Sequence, residues 1–245
     1  GTYGITAGGA ITDSGTQEIT GVTTLAAGSG NDITLDTSTN NFAAAVVITS
    51  GNNVAITDED AIDLGAATVS GTYGITAGGA VTDSGTQEIA GATTISASGQ
   101  DVTLDISTNN FAAAVGITGA AVTVVDENTI DLGASTVSGT YTITATEGDI
   151  TDSGNLAITN AATFTTTEAS SNIILDQSGN AFSKKVTMKS GNGTAAFGNL
   201  TFVNSGPVRL HTSADADDDL YINAATDGTV GGTLSVTASG DITQT

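Results

Sequence analysis

The densest chemistry in the chain lies between positions 209 and 219. Arg209 and His211 are the only arginine and the only histidine, and four carboxylates follow: Asp215, Asp217, Asp218 and Asp219. A basic residue with acidic partners could do acid–base work on a polysaccharide. Carboxylates beside one Arg and one His are more commonly solvated charges, however, so the chain is not expected to be an enzyme. The same acids could instead hold calcium weakly, a hard cation that prefers several carboxylate and carbonyl oxygens. Their spacing lacks the following Gly and the bidentate Glu of an EF-hand. This weak calcium loop is the only metal site, and calcium the only cofactor, that the sequence offers.

Other constellations are fainter. Ala27–Leu35 (AGSGNDITL) comes close to a calcium-binding nonapeptide, but its large apolar residue falls one place late and the motif is not tandem. Asn40-Asn41-Phe42, Asn109-Asn110-Phe111 and Asn180-Ala181-Phe182 recur, as turn-capping Asn followed by a buried Phe would. Lys184, Lys185, Lys189 and Arg209 are the whole basic complement, which makes their neighbourhood the best place for a local function.

What positions these residues is repetition. GTYGITAGGAITDSGTQEITGVTTL at the start returns from Gly71 with 21 of 25 residues identical. Looser copies open at Gly139 (GTYTITATEGDITDSG) and at Gly232 (GTLSVTASGDITQT). The copies are 1–70, 71–138, 139–231 and the beginning of a fourth, 232–245, so the third is longer than the first by about 23 residues. Short strands ending in a polar marker recur throughout: Asp13, Asp36, Asp58, Asp83, Asp105, Asp126, Asp152, Asp176, Asn204, Asn223 and Gln244. Their mean step is also about 23 residues, a period in the range of solenoid repeats. The expectation is therefore three coils of about 23 residues per copy, one added coil in the third copy between Val186 and Gly231, and about 10–11 coils in all.

Segments such as Ile33-Thr34-Leu35 and Val102-Thr103-Leu104 alternate apolar with Thr, the period of a strand with one buried face. Threonine, a β-former, occurs 45 times, and clusters such as Ser50-Gly51-Asn52-Asn53 mark turns. No stretch reads as an amphipathic helix. A unit this short cannot bury its own apolar face, so neighbours must stack. The fold expected is all-β, a right-handed parallel β-helix (β-solenoid) running continuously through residues 1–245.

With 26 acidic residues against four basic ones, the net charge is −22. That argues against nucleic acid and anionic membrane surfaces as partners, both of which need Lys and Arg. No run of 18 apolar residues is present, so no membrane insertion is expected. Zero cysteines fit a secreted protein stabilised by repetition rather than disulfides. Neither end reads as a capping unit, as though the chain were a segment of a longer polypeptide able to self-associate head to tail.

The alternation of GNDITLDTSTNNFAAAVVITSGNNVAITDEDAIDLGAATVSG with ITAGGAITDSG resembles the filamentous-haemagglutinin-type repeats of large bacterial exoproteins. Many of those are exported by two-partner secretion, although that family's amino-terminal secretion domain has no counterpart here. The resemblance implies a secreted or cell-surface shaft serving attachment to a host or neighbouring cell surface through regions outside this segment. The alternative expectation is a ligand-binding β-helix, for carbohydrate or ice.

Overall fold

The computed structural model describes residues 1–190, 197–211, 219–223 and 230–244. They contain strands, turns and bends but no helix, and they form two compact units, Gly1–Ala120 and Ala121–Thr245.

In the first unit the chain winds between two parallel sheets. One stacks Tyr3–Thr6, Thr23–Ala26, Val46–Gly51, Ile62–Val69, Val81–Asp83 and Val102–Leu104. The other stacks Ile11–Thr12, Ile33–Leu35, Val54–Asp58, Tyr73–Ala77, Thr93–Ser96 and Val115–Gly119. Short flank strands pair likewise, Glu18–Ile19 with Asn41–Phe42 and Gln87–Ile89 with Asn110–Phe111. The β-solenoid expected from the sequence is thus the fold.

Alternation sets the inside. In Val54–Asp58 the first, third and fifth side chains are buried while Ala55 and Thr57 are partly exposed. Ladder register then builds columns: Leu35, Ile56, Ile75, Ile95 and Ile117 occupy one interior position in successive coils, all buried. Burying one such side chain contributes about 1.5–3 kcal/mol, realised only when neighbouring coils are both formed.

The coil is shorter than the marker spacing implied. Tyr3 pairs with Thr23, Thr23 with Val46 and Val46 with Leu64, and in the other sheet Val54 pairs with Tyr73 and Tyr73 with Thr93. Six coils fill this unit, so one copy of the repeat makes three and a half turns. The marker series concealed this because it skips a half-coil at each copy boundary. Asp13, Asp36 and Asp58 belong to one sheet, whereas Asp83 and Asp105 belong to the other, and the in-register neighbour of Asp58 is Ala77.

The second unit repeats the plan. One sheet carries Val122–Asp126, Tyr141–Ala145, Ala162–Thr166 and Val186–Ser190; its partner carries Ile130–Leu132, Ile150–Asp152, Ile173–Leu175, Leu200–Asn204 and Leu234–Ala238. Ser135–Val137, Leu156–Ile158 and Ala181–Phe182 stack along the flank. The interior is more aromatic here. Tyr141 meets Phe164 edge-on at 5.9 Å between ring centroids, Phe164 meets Phe182 at 6.1 Å, and Phe182 lies 5.3 Å from Phe202.

The coil expected to be added in the third copy falls largely on residues outside the described ones. Among the described residues, Leu200–Asn204 and Asp219–Asn223 both lie in ladders, as expected. Ile173 pairs with Leu200 and Leu200 with Leu234, so pairing partners are further apart in sequence here than in the first unit. Asp219–Asn223 lies between Val186–Ser190 and Val208–His211, and Ile242–Gln244 follows on the far side of Val208–His211.

Candidate functional site

The recurrent carboxylates and amides of the copies are spent on each other. Asn40 is fully buried; its amide nitrogen donates to Asp13 Oδ2 at 2.7 Å and to the Leu35 carbonyl at 3.2 Å, and its Oδ1 accepts from the Gln17 backbone N–H at 2.8 Å. Asn109 does the same with Asp83 (2.6 Å) and the Gln87 N–H (2.9 Å), and Asn180 with Asp152 (2.6 Å) and the Leu156 N–H (2.9 Å). One coil further on, Asp58 Oδ2 accepts the Phe42 N–H at 2.9 Å, and Asn204 Oδ1 accepts the Phe182 N–H at the same distance. The Asn-x-Phe motif is therefore the middle of a clip joining successive coils along the flank, as its turn-capping reading implied.

The clips set the acidity of their members. Burial raises the Asp83 and Asp152 carboxyls above the ordinary value, against the opposing hydrogen bonds from Asn109 and Asn180. Burial likewise raises Asp58, partly offset by the N–H groups of Asp60 and Phe42. At Asp13 burial also pushes upward, but the hydrogen bonds from Asn40 and Thr37 together outweigh it and leave the pKa lowered. In the calcium-like stretch, the Asn53 backbone N–H and the Asn52 and Asn53 amides all donate to Asp32 Oδ1, which lowers its pKa. That carboxylate joins its coil to the next.

Of the acidic loop, Asp215, Asp217 and Asp218 lie outside the described residues, and so do the side chains of Asp219 and His211. Among the described residues no group of three or more His, Cys, Asp or Glu is placed to hold a metal ion. Arg209 is exposed on Val208–His211, and Lys185 holds its ammonium 5.5 Å from the centroid of the Tyr221 ring, a cation–π contact.

The inserted strand has a geometric consequence. One sheet gains Asp219–Asn223 while the described strands of the other gain none at that level, and among the described strands Ala181–Phe182 pairs with Leu156–Ile158 alone. A cavity of about 670 Å³ lies where the flank column stops. Phe182, Phe202, Val208 and Leu220 form its apolar floor; Lys184, Arg209 and Asp241 stand at its exposed rim. The basic residues marked this neighbourhood in the sequence. The floor was invisible there, because its members come from four strands brought together only by the insertion.

Family comparison adds the remaining finding. Repeats of unknown function of the DUF5649 family match residues 1–49, 51–118 and 119–189. No curated protein and no solved structure matches the chain. The second and third matched segments open at Gly51 and Gly119, and the second and third copies at Gly71 and Gly139, so the two series advance by the same step. Matched along most of its length and with its own period, the chain belongs to the DUF5649 family of repeats.

Proposed function

We propose that this chain is a non-enzymatic shaft segment of a secreted or cell-surface bacterial adhesin or surface fibre, acting as a spacer or in attachment. The supporting observation is the fate of the recurrent polar residues. In each copy the Asp and Asn that repeat most faithfully face inward and clip coil to coil. Repetition in this chain thus serves length and cohesion. The filamentous-haemagglutinin-like pattern supports the extracellular part of the reading, and the net charge of −22 keeps neighbouring shafts apart.

Head-to-tail self-association belongs to the same proposal. Among the described residues, Tyr3–Thr6 has a ladder partner on one side, as do Leu234–Ala238 and Ile242–Gln244. Tyr3, Leu234 and Ile242 are 38%, 44% and 49% exposed. Such edges template further strand pairing, and the contact is heterologous, so it need not close into a ring.

The test uses beads coated with the chain. A shaft gives no saturable binding to host cells or neutral glycans, and sedimentation shows mass rising with concentration until a polar capping coil is added. Saturable cell binding by this segment alone would overturn the shaft reading, and a concentration-independent monomer would overturn the self-association.

A further inference from the structure

A second cavity, of about 330 Å³, lies wholly within the first unit, on the flank where Gln87–Ile89 pairs with Ile62–Val69 and with Asn110–Phe111. Register sets Thr68, Glu88 and Asn110 in one outward column along it. Ser29, Ser50 and Ser70 line it too, and the small side chains of Ala90 and Ala112 leave it open. The serines are already fixed: Ser70 Oγ donates to the Ser29 carbonyl at 2.7 Å, and Ser50 Oγ accepts the Gly28 N–H at 3.1 Å. The volume is at the lower end of small-molecule sites, roughly 300–1,000 Å³.

Glu88 carries the one charge in this lining. Its hydrogen-bond donor is the neutral Asn110 amide, 3.3 Å from Oε2, which leaves the charge uncompensated. The first unit holds twelve Asp and Glu and no Lys, Arg or His, so the field at the cavity favours a cation. Hydroxyls at Ser29 and Thr68 can donate or accept, and the Asn110 Oδ1 can accept. The corresponding ladder of the second unit reads Thr136, Ala157 and Ala181, without acid or amide, so the constellation is not a by-product of the repeat.

We propose that this cavity binds a compact, polyhydroxylated primary ammonium of the amino-sugar class, a single hexosamine with its free amine. The ammonium meets Glu88 and the Asn110 Oδ1, ring hydroxyls meet Thr68 and Ser29, and the C–H face of the ring covers Ala90 and Ala112. A neutral sugar forfeits the charge, and a cyclic amine without hydroxyls forfeits the remaining contacts. The inference is independent of the shaft reading, since a shaft can carry one local site and neutral glycans remain non-ligands.

Backbone-amide NMR titration of the full chain, in mildly acidic buffer that keeps the amine protonated, compares glucosamine, glucose, N-acetylglucosamine and cyclohexylamine. Glucosamine is expected to shift the amides of Ser29, Thr68, Glu88 and Asn110 saturably. Glucose and N-acetylglucosamine should bind about tenfold or more weakly, and cyclohexylamine about fivefold or more weakly. Glu88→Gln should lower glucosamine affinity about tenfold, whereas Glu18→Gln, at an exposed acid outside the cavity, should leave it unchanged. Ala112→Leu, which fills the groove from an exposed position, should abolish binding; if that chain does not fold, Glu88→Gln decides. Equal affinities for glucosamine and glucose, or for glucosamine and cyclohexylamine, would overturn the proposal. So would undiminished binding by Glu88→Gln, an equal loss with Glu18→Gln, or shifts that spread over the acidic residues without saturating.

Discussion

Tyr3 and Tyr73 occupy the same position in successive copies, yet they lie on opposite sheets of the first unit, Tyr3 in the ladder with Thr23 and Tyr73 between Val54 and Thr93. One copy spans three and a half coils, so each repetition of the sequence is turned by half a coil. Sequence-equivalent surfaces therefore alternate between faces, as do the flanks. Asn41–Phe42 lies on the connection from the second sheet to the first, and Asn110–Phe111 on the connection from the first to the second.

This register is open to chemical test. Thr57 and Thr76 are in-register neighbours that show at least part of their surface, whereas Thr82 lies in the other sheet. A short thiol-bridging reagent should link Thr57→Cys to Thr76→Cys and fail to link Thr57→Cys to Thr82→Cys, read by mass spectrometry. The opposite pattern would restore the longer coil that the marker spacing implied.

The clips should matter more than their exposed neighbours. Asn109→Ala leaves the half-buried Asp83 beside an emptied site and the Gln87 N–H without its acceptor, and should destabilise the fold by about 2 kcal/mol. Asn110→Ala, which removes only a 3.3 Å contact to Glu88 at the surface, should cost about 0.5 kcal/mol. Denaturant titration of the two variants gives the comparison, and similar costs would refute the clip as the stabilising unit.

The Asp-Ser-Gly corner carries a positional prediction. A Cβ on Gly85 would collide with the backbone of Ala66 in the preceding coil, and one on Gly154 with Ala134, whereas Gly15 has open space. Gly85→Ala should destabilise by about 1–3 kcal/mol and Gly15→Ala by less than about 0.5 kcal/mol. The melting temperatures of the two variants report which glycine is required by stacking.

Acid should stabilise this protein before it harms it. The carboxyls of Asp58, Asp83 and Asp152 are raised in the fold above the ordinary value of 3.8, so folding favours their protonated forms. The stability they confer is complete below 3.8 and is lost as pH rises through their raised values. Asp13 and Asp32 are lowered, and their contribution runs the other way, present above 3.8 and lost as pH falls through their depressed values. Relief of the −22 repulsion adds to the first group. The melting temperature should therefore rise as pH is taken from neutrality toward the raised carboxyl range and fall only at stronger acidity; a monotonic fall from neutrality would contradict this.

The sequence by itself determined the strands, the stacking and the recurrent turn-capping Asn. Period-two alternation in Val54–Asp58 or Val102–Leu104 already states which face is buried, and a unit too short for its own core must stack. The recurrent Asn before Phe announced a capped turn, and the structure adds that its partners come from the coils on either side. What the sequence could not convey was the pairing distance. Spacing between like residues measures the copy, whereas coil length depends on which strand each strand hydrogen-bonds, and Asp58 and Asp83 look alike while lying on different sheets. The cavity was hidden for the same reason. Phe182, Phe202, Val208 and Leu220 each read as an ordinary core residue, and their common lining of one cavity beside the inserted Asp219–Asn223 follows only from the strand pairing.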